Sequence, residues 1–406
     1  MNILHLNSYY KKGGAESVFL LTYNEMNKIE GLTNYIGAVS NGEKVDINFK
    51  TWEEQSKIKG IFTYIYSKHN YKELKEFLCK NHINIIHIHN VFPTLSNGVL
   101  KAIKEYKKHN SIKVIQTIHD FHLICPNSTL YNFNEECICE KCIQNKFIEQ
   151  KFLLNCDKRG RLYSIIKEIR SIISNNVIKH KEIIDKFIAP SDFMKDMLIK
   201  SNIDNQKIEV IRNPIITNAV NKEKNKDNII CYFGRLSKEK NVQLLIEAFC
   251  EIIQKEKYRN YKLIIIGEGE CDKEIRARIK FGKLEKKIIT YGFLDKIDLF
   301  DKIKESKFFV LPSKWYENAP MTLVEALSLN IIPIASNIGG MKESIQLFKA
   351  GLLFENNNLN SLKDTLIYGI NNYNEEARKV EDAKKIILRE LSIKEYTSRL
   401  LKLYNV

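Results

Sequence analysis

Lys307–Glu343 reads KFFVLPSKWYENAPMTLVEALSLNIIPIASNIGGMKE. The apolar run Phe308–Leu311 predicts a buried strand, and Ile331–Ala335 predicts a second. Between them lie a polar loop, Trp315–Thr322, and a helical stretch with Met321, Leu323, Val324, Ala326 and Leu327 as its apolar positions. Gly339-Gly340 then turns the chain. Strand, loop, helix, strand is a βαβ unit whose loop lies at the carboxyl end of a parallel sheet, where open α/β sheets bind ligands. Glu317 in the loop and Glu325 in the helix are eight residues apart. That spacing suits one carboxylate on sugar hydroxyls and another on a deeper polyol. The helix N-terminus adds backbone N–H groups and a positive dipole end for an anion.

The alternation continues in both directions. After the quoted stretch comes Gly351–Phe354, and before it Ile288–Tyr291, Tyr261–Ile266 and Ile229–Phe233 read as strands. Asn213-Pro214 and the polar run Asn218–Asn228 read as a linker. Ahead of that, strands are predicted at Ile3–Leu6, Tyr35–Val39, Ile83–His89, Lys113–His119, Lys186–Ala189 and Ile208–Ile211. Helical patterns lie between them at Glu16–Glu30, Tyr71–Asn81 and Leu95–Lys107. Strands alternating with helices predict two doubly wound, Rossmann-like α/β domains facing each other across a cleft. The expected division is 1–215, 216–385 and a final helix, 386–406, packing back on the first domain. The stretch Asn374–Tyr404 reads as one long helix.

A chain of 406 residues suits two domains of about 200 residues each. No apolar run approaches the roughly 18 residues of a membrane span. The first residues read as a strand entering a glycine loop rather than a leader, so a cytoplasmic protein is expected, peripheral on the inner membrane face at most. The net charge is +15, with 31 Lys/Arg against 23 Asp/Glu over residues 1–220 and 33 against 26 beyond. An excess spread so evenly is no nucleic-acid arm, and no nucleic-acid module is recognisable. A diffuse basic surface also suits anionic lipid and phosphate-bearing substrates.

Several residues carry candidate chemistry. Gly13-Gly14 follows the first strand, where backbone without Cβ atoms can approach a diphosphate and adopt φ > 0. An ordinary turn is the plain alternative. Arg235 and Lys240 sit just after a strand and suit a departing diphosphate, although the chain has 64 such cations. Lys238 reads as a solvent-facing cation. Glu317 and Glu325 also have the form of a hydrolase acid/base pair. His119-Asp120 closes a strand at the sheet's carboxyl edge, so both are expected to point into the cleft. His87 and His89 share a strand face. With His122 they raise the question of a metal, but no matched carboxylate set accompanies them.

Cys125, Cys139, Cys142 and Cys156, with Cys137 among them, concentrate thiols in an insertion at 125–156 compatible with a structural zinc or iron–sulfur site. The basic, partly amphipathic stretch Phe147–Ile178 reads either as a helix on anionic membrane or as a core helix with a solvated back. Lys151, Lys158, Arg159, Arg161, Lys167 and Arg170 alternate there with Phe152, Leu162, Ile165, Ile166 and Ile169. Gly267-Glu268-Gly269 fails the dinucleotide fingerprint for want of a third glycine. No phosphate-loop lysine motif and no Asp-x-Asp metal motif occur, which fits a metal-independent reaction.

Taken together, Glu317–Glu325, Phe233-Gly234-Arg235-Leu236-Ser237-Lys238-Glu239-Lys240-Asn241, Gly13-Gly14-Ala15-Glu16 and Gly339-Gly340 followed by Glu343 resemble the motifs of retaining glycosyltransferase family 4. The resemblance covers nearly the whole chain and implies the GT-B fold. It implies sugar transfer from a nucleotide-diphosphate donor, UDP- or GDP-linked, to a glycan or lipid-linked glycan hydroxyl, with no cofactor required for catalysis. By resemblance, Gly13, Gly14, Gly234, Arg235, Lys240 and the segment Asn318, Ala319, Pro320, Met321, Thr322 surround the diphosphate. Glu317 takes the sugar, Glu325 the ribose, and His119 lies near the reacting carbon. Glu16 and Asp120 fall on the acceptor side. The family's Glu-Gly-x-Pro reads Glu317-Asn318-Ala319-Pro320 here, and Leu329-Asn330 replaces a small-Gly turn, with Asn able to enter αL. Two rival readings are a nucleotide-sugar 2-epimerase of the same architecture, which would consume donor without acceptor, and a catalytically silent nucleotide-sugar-binding scaffold.

Overall fold

The computed structural model describes residues 1–11, 13–144, 153–215 and 226–405. Most of the expected linker run, 218–225, and the part of the basic stretch containing Lys151 and Phe152 lie outside them. Two compact units result: Met1–Asn213 with Tyr396–Val406, and Pro214–Glu395.

The first unit holds β1 (Asn2–Tyr9), β2 (Thr33–Val39), β3 (Ile47–Asn48), β4 (Ile85–Ile88), β5 (Lys113–Thr117), β6 (Tyr131–Asn132), β7 (Cys137–Ile138), β8 (Lys186–Ala189) and β9 (Ile208–Val210). Seven of these form one sheet in the order β3-β2-β1-β4-β5-β8-β9, while β6 and β7 pair as a small hairpin. Its ladders are parallel, so strands such as Ile85–Ile88 are apolar or aromatic throughout and buried on both faces. The second unit holds β10 (Asp227–Phe233), β11 (Lys262–Ile266), β12 (Ile288–Tyr291), β13 (Ser306–Leu311), β14 (Ile332–Ser336) and β15 (Leu352–Phe354). Their order is β12-β11-β10-β13-β14-β15.

Local chemistry sets many of the element ends. Ser191, Asp295 and Asn358 cap helices by accepting backbone N–H bonds from Met194, from Ile297 and Asp298, and from Ser361. Asn330 ends the helix Met321–Ser328 with φ +56°, the left-handed turn expected of an Asn in place of glycine.

The end of the chain differs from expectation. Two helices, Tyr373–Glu390 and Ile393–Tyr404, replace one long one. Ile387 and Leu391 are buried in the second unit's core, so the return to the first unit begins at Tyr396 rather than at 386. There Tyr396, Leu400 and Tyr404 pack with Ile3, Ile85 and Ile115. The Tyr396 and Thr22 hydroxyls share a hydrogen bond of 2.7 Å, and Lys113 Nζ donates to the Leu403 carbonyl.

Candidate functional site

In the second sheet the strand order reverses between β10 and β13, so the loops after these two strands flank the topological switch point. The first of them is the Gly234-Arg235 loop. Its backbone lies on the Gly267-Glu268-Gly269 loop: Gly234 N–H donates to Ile266 O, and Leu236 N–H to Glu268 O. A Cβ on Gly267 would stand 1.9 Å from the Gly234 carbonyl oxygen, and one on Gly269 would stand 2.2 Å from the Leu236 carbonyl oxygen. Those two glycines serve loop-on-loop packing, which explains a glycine pair that is not a dinucleotide fingerprint.

The second is the Glu317 loop, and it is tied to the first. Lys314 N–H donates to Glu239 O at 2.9 Å, and Lys240 Nζ reaches Glu317 Oε1 at 2.5 Å. Ser313 Oγ and Trp315 Nε1 each donate to the same Glu317 oxygen at 2.8 Å. Burial works to raise the Glu317 pKa, but the Lys240 charge and these donors outweigh it and hold the carboxyl below the usual range. Glu317 is therefore an ionised, oriented carboxylate. Arg235 differs from Lys240: its side chain is mostly exposed, one edge touching Glu239 at 3.3 Å and its plane lying 5.9 Å from the Trp315 ring. Glu239 is itself buried and accepts the Ser237 hydroxyl.

Asn318, Ala319 and Pro320 lead into the helix Met321–Ser328, whose start carries no side-chain cap, so the N–H groups at Met321 and Thr322 head an uncapped N-terminus. Glu325 lies buried in the second turn with Lys296 Nζ at 3.1 Å. Its burial pushes the carboxyl above the usual range, and the partly exposed Lys296 offsets this only in part. Gly340 N–H donates to the Glu317 carbonyl at 2.8 Å, locking the loop from the other side. Ser313, Trp315, Lys296 and Glu239 were not singled out by sequence. The first two lie in the quoted stretch, but only the loop's path shows that they share one oxygen.

In the first sheet the order reverses between β1 and β4. Gly13, which can adopt positive φ, is instead extended at φ −164°, and Gly14 begins a helix with nothing within 4 Å of an added Cβ. Neither is demanded by the fold itself. Glu16 is buried near Asn7, whose amide lies 3.4 Å from its Oε1.

Asp120, expected to point into the cleft, has a side chain that is 38% exposed and engages one oxygen within its own loop. Its Oδ1 accepts both the backbone N–H and the Nδ1–H of His122, closing a turn within its own loop. Burial opposes ionisation of Asp120, but His122 more than compensates and keeps its pKa low. The other His122 nitrogen faces Gln116 Nε2 at 3.1 Å, and Gln116 Oε1 meets His180. With both ring nitrogens engaged, this Asp–His pair is scaffolding rather than a general base.

His5, His87 and His89 are the one group of three metal-type donors within 4.8 Å of one another among the described residues. His87, however, has Nδ1 on the Tyr404 hydroxyl and Nε2 on the Thr117 hydroxyl, and no carboxylate joins the group, so the arrangement is a poor fit to a dication. Three of the four singled-out thiols, Cys125, Cys139 and Cys156, are close enough to influence one another's ionisation. Among the described residues no three of them reach that same donor spacing.

The basic stretch becomes a helix, Arg161–Ile172, followed by a π-helical turn, Ile173–Ile178. Two of its cations are internal, as in a core helix with a solvated back. Arg170 is buried, bonded to the Tyr64 hydroxyl and the Pro126 carbonyl and stacked on Phe92. Lys167 bonds Asp157 and Asn127. Leu162 and Ile169 remain exposed, as do Ile58 and Phe62 on the helix Lys57–Ile65.

Comparison with known proteins gives two adjoining family matches: a model described as "Glycosyltransferase Family 4" over residues 55–219 and one described as "Glycosyl transferases group 1" over 216–386. An uncharacterized 42.6 kDa protein in the cps region of Klebsiella pneumoniae is 25% identical over 68% of this chain and 64% of its own length. A UDP-Gal:alpha-D-GlcNAc-diphosphoundecaprenol alpha-1,3-galactosyltransferase of Escherichia coli is 29% identical over 43% of this chain and 48% of its own. These matches thus span from about half to under two thirds of the curated relatives. Anabaena Alr3699/HepE, crystallised with UDP, superposes with a TM-score of 0.67 at 15% identity, covering 100% of both chains.

Proposed function

Since the chain belongs to glycosyltransferase family 4, the group 1 glycosyltransferases, and has their GT-B fold of Rossmann-like domains, we propose that it moves a sugar from a UDP-sugar to a glycan hydroxyl with retention of configuration. One observation carries the site assignment: an ionised carboxylate, Glu317, fixed by three donors beside an uncapped helix N-terminus at the sheet's switch point. The diphosphate takes the N–H groups of Met321 and Thr322 together with Arg235, whose exposed guanidinium has room to move onto it. Lys240 is positioned by Glu317 and adds positive charge to the same side. Glu325 accepts ribose hydroxyls and Glu317 those of the sugar. In transfer, the bond from the anomeric carbon to the diphosphate oxygen breaks and negative charge grows on that oxygen. Fixed cations and helix-end N–H groups stabilise it there without reorganising.

The choice of UDP over GDP is supported by the relatives' own ligands, UDP in the Anabaena protein and UDP-Gal in the name of the Escherichia coli enzyme. The latter's diphosphoundecaprenol acceptor and the cps region of the Klebsiella relative support a lipid-linked glycan in surface-polysaccharide assembly. A thermal-shift panel with UDP, GDP, ADP and CDP tests the donor. UDP at 100 times its Kd is expected to stabilise the fold by about 2.7 kcal/mol. A panel in which no nucleotide raises the melting temperature would remove the donor-site reading.

A lipid-linked acceptor brings the enzyme to a membrane surface. No described helix is long and apolar enough to cross one. Exposed Ile58, Phe62, Leu162 and Ile169 beside Lys57, Lys59, Lys158 and Arg161 offer an interfacial contact. Flotation with vesicles containing anionic lipid is expected, and to weaken when Lys57, Lys59, Lys158 and Arg161 are reversed to Glu. Equal flotation of the variant would rule that face out.

A further inference from the structure

Lys296 stands where local chemistry gives no reason for a cation. It is the first residue of the helix Lys296–Ile303, whose start Asp295 caps by accepting N–H bonds from Ile297 and Asp298. A cation in a first helical turn faces the positive end of the dipole. Its ammonium turns instead to the helix Met321–Ser328, where Nζ lies 3.1 Å from Glu325 Oε1, and it rests 5.9 Å from the Phe300 ring one turn on. The partners are unequal, the Glu325 side chain being 10% exposed and that of Lys296 45%. As a stabilising contact, a pair so open on one side contributes little.

The carboxylate has two oxygens, and Lys296 takes one. Among the described residues no donor reaches Oε2. Glu325 is also the only titratable residue of its own helix, which packs on β13, β14 and the helices Gly339–Phe348 and Tyr373–Glu390. β14 carries no titratable group. Lys307 of β13, Lys342 and Glu343 of Gly339–Phe348, and the charges of Tyr373–Glu390 do not act on Glu325, whose ionisation answers to burial and to Lys296.

We propose that Lys296 is a positioning residue for nucleotide recognition: paired with Oε1, it holds Glu325 as an oriented carboxylate whose Oε2 accepts a ribose hydroxyl. This rests on the reading that Glu325 takes the ribose. Lys296 touches no ribose; it acts through Glu325. A charged acceptor holds a hydroxyl about twice as strongly as a neutral one, so the preference for ribose follows the charge that Lys296 sustains. Without Lys296 nothing opposes the burial of Glu325, and the carboxyl takes up its proton at higher pH.

Two measurements test this. The first needs no ligand: carbon-13 titration of the glutamate carboxyls, with the Glu325 signal identified by its loss in Glu325→Gln. Its inflection is expected to rise by about one pH unit in Lys296→Met and to stay near the wild-type value in Lys296→Arg. An inflection that does not move in Lys296→Met overturns the proposal. The second is calorimetry across pH with UDP and 2′,3′-dideoxy-UDP, whose phosphates titrate alike. The wild type is expected to prefer UDP by about tenfold. Each protein should lose that preference as pH falls through its own Glu325 inflection, so the loss begins at higher pH in Lys296→Met than in the wild type or Lys296→Arg. Glu325→Ala should show no preference at any pH. If Glu325→Ala prefers UDP as the wild type does, or the wild type itself shows no preference, the ribose reading fails, whatever the titration shows. If Glu325→Ala loses the preference while Lys296→Met keeps it over the wild-type pH range, the positioning role alone falls. Equal weakening of both nucleotides in Lys296→Met at every pH would likewise overturn it, making Lys296 a phosphate contact.

Discussion

Glu317→Ala is expected to lower turnover by about 10²–10³-fold while changing the affinity for UDP less than threefold. The carboxylate is not a loose surface charge. One oxygen gathers Lys240, Ser313 and Trp315, which fixes the second oxygen's direction as well. Such an anchored anion binds sugar hydroxyls without an ordering cost at the moment of reaction. Removal also leaves Lys240, which is only 16% exposed, without its counter-charge. The fold should therefore lose about 2–4 kcal/mol as well, the scale of breaking one partner out of a mostly buried pair. Glu317→Gln separates the two effects: it keeps volume and an acceptor but removes the charge. Because the folded pKa of Glu317 is depressed, its stabilisation is fully present above about 4.5 and is lost as pH falls through the folded value. The Gln variant should lose that part of the acid dependence. Steady-state release of UDP from the sugar nucleotide that stabilises the fold gives the turnover. A Glu317→Ala enzyme of wild-type turnover would end the assignment of this residue to the sugar.

How far the chain announced this site depends on what kind of contact holds each part. Strands buried on both faces, such as Phe308–Leu311 and Ile288–Tyr291, are continuous apolar runs, so their places in the sequence are plain. Two-residue strands such as Ile47–Asn48 and the hairpin Tyr131–Asn132 with Cys137–Ile138 carry no periodicity and were not visible. Asn374–Tyr404 keeps a helical period through the break after Glu390, because period shows that a face is buried without showing in which core. The Glu317 loop was legible from its place between strand and helix. Its pairing with Lys240 was not, since the two are 77 residues apart and meet only because β10 and β13 are neighbours. The contact of Asp120 with His122 is local and was still not read: an Asp two residues before a His readily closes a turn onto its N–H. The grouping of His5 with His87 and His89 depends on the register of β1 against β4, which no single strand reveals.

Gly340→Ala is the second large effect, and it reaches the site without touching a ligand. The residue opens the helix Gly339–Phe348 with its Cα against the Glu317 loop. An added Cβ would stand 1.7 Å from the Asn318 carbonyl oxygen, 2.6 Å from its carbon and 2.8 Å from the Glu317 carbonyl oxygen. These are backbone atoms, so no side-chain rotation relieves the overlap. Either the helix start or the loop must retreat, and the Gly340 N–H to Glu317 O bond stretches with it. A retreat of about 1 Å suffices to cost on the order of 10²-fold in rate when it carries a positioned group away from the reacting atoms. Overpacking of this kind costs about 1–3 kcal/mol. By contrast, Gly14→Ala meets nothing within 4 Å and should leave stability within about 0.5 kcal/mol, so any loss of activity there would report on ligand approach alone. Chemical denaturation of both variants, read beside UDP release, separates the two kinds of glycine. A Gly340→Ala protein with unchanged stability and turnover would show that the loop yields freely, and that the Glu317 carboxylate is not held by the glycine turn behind it.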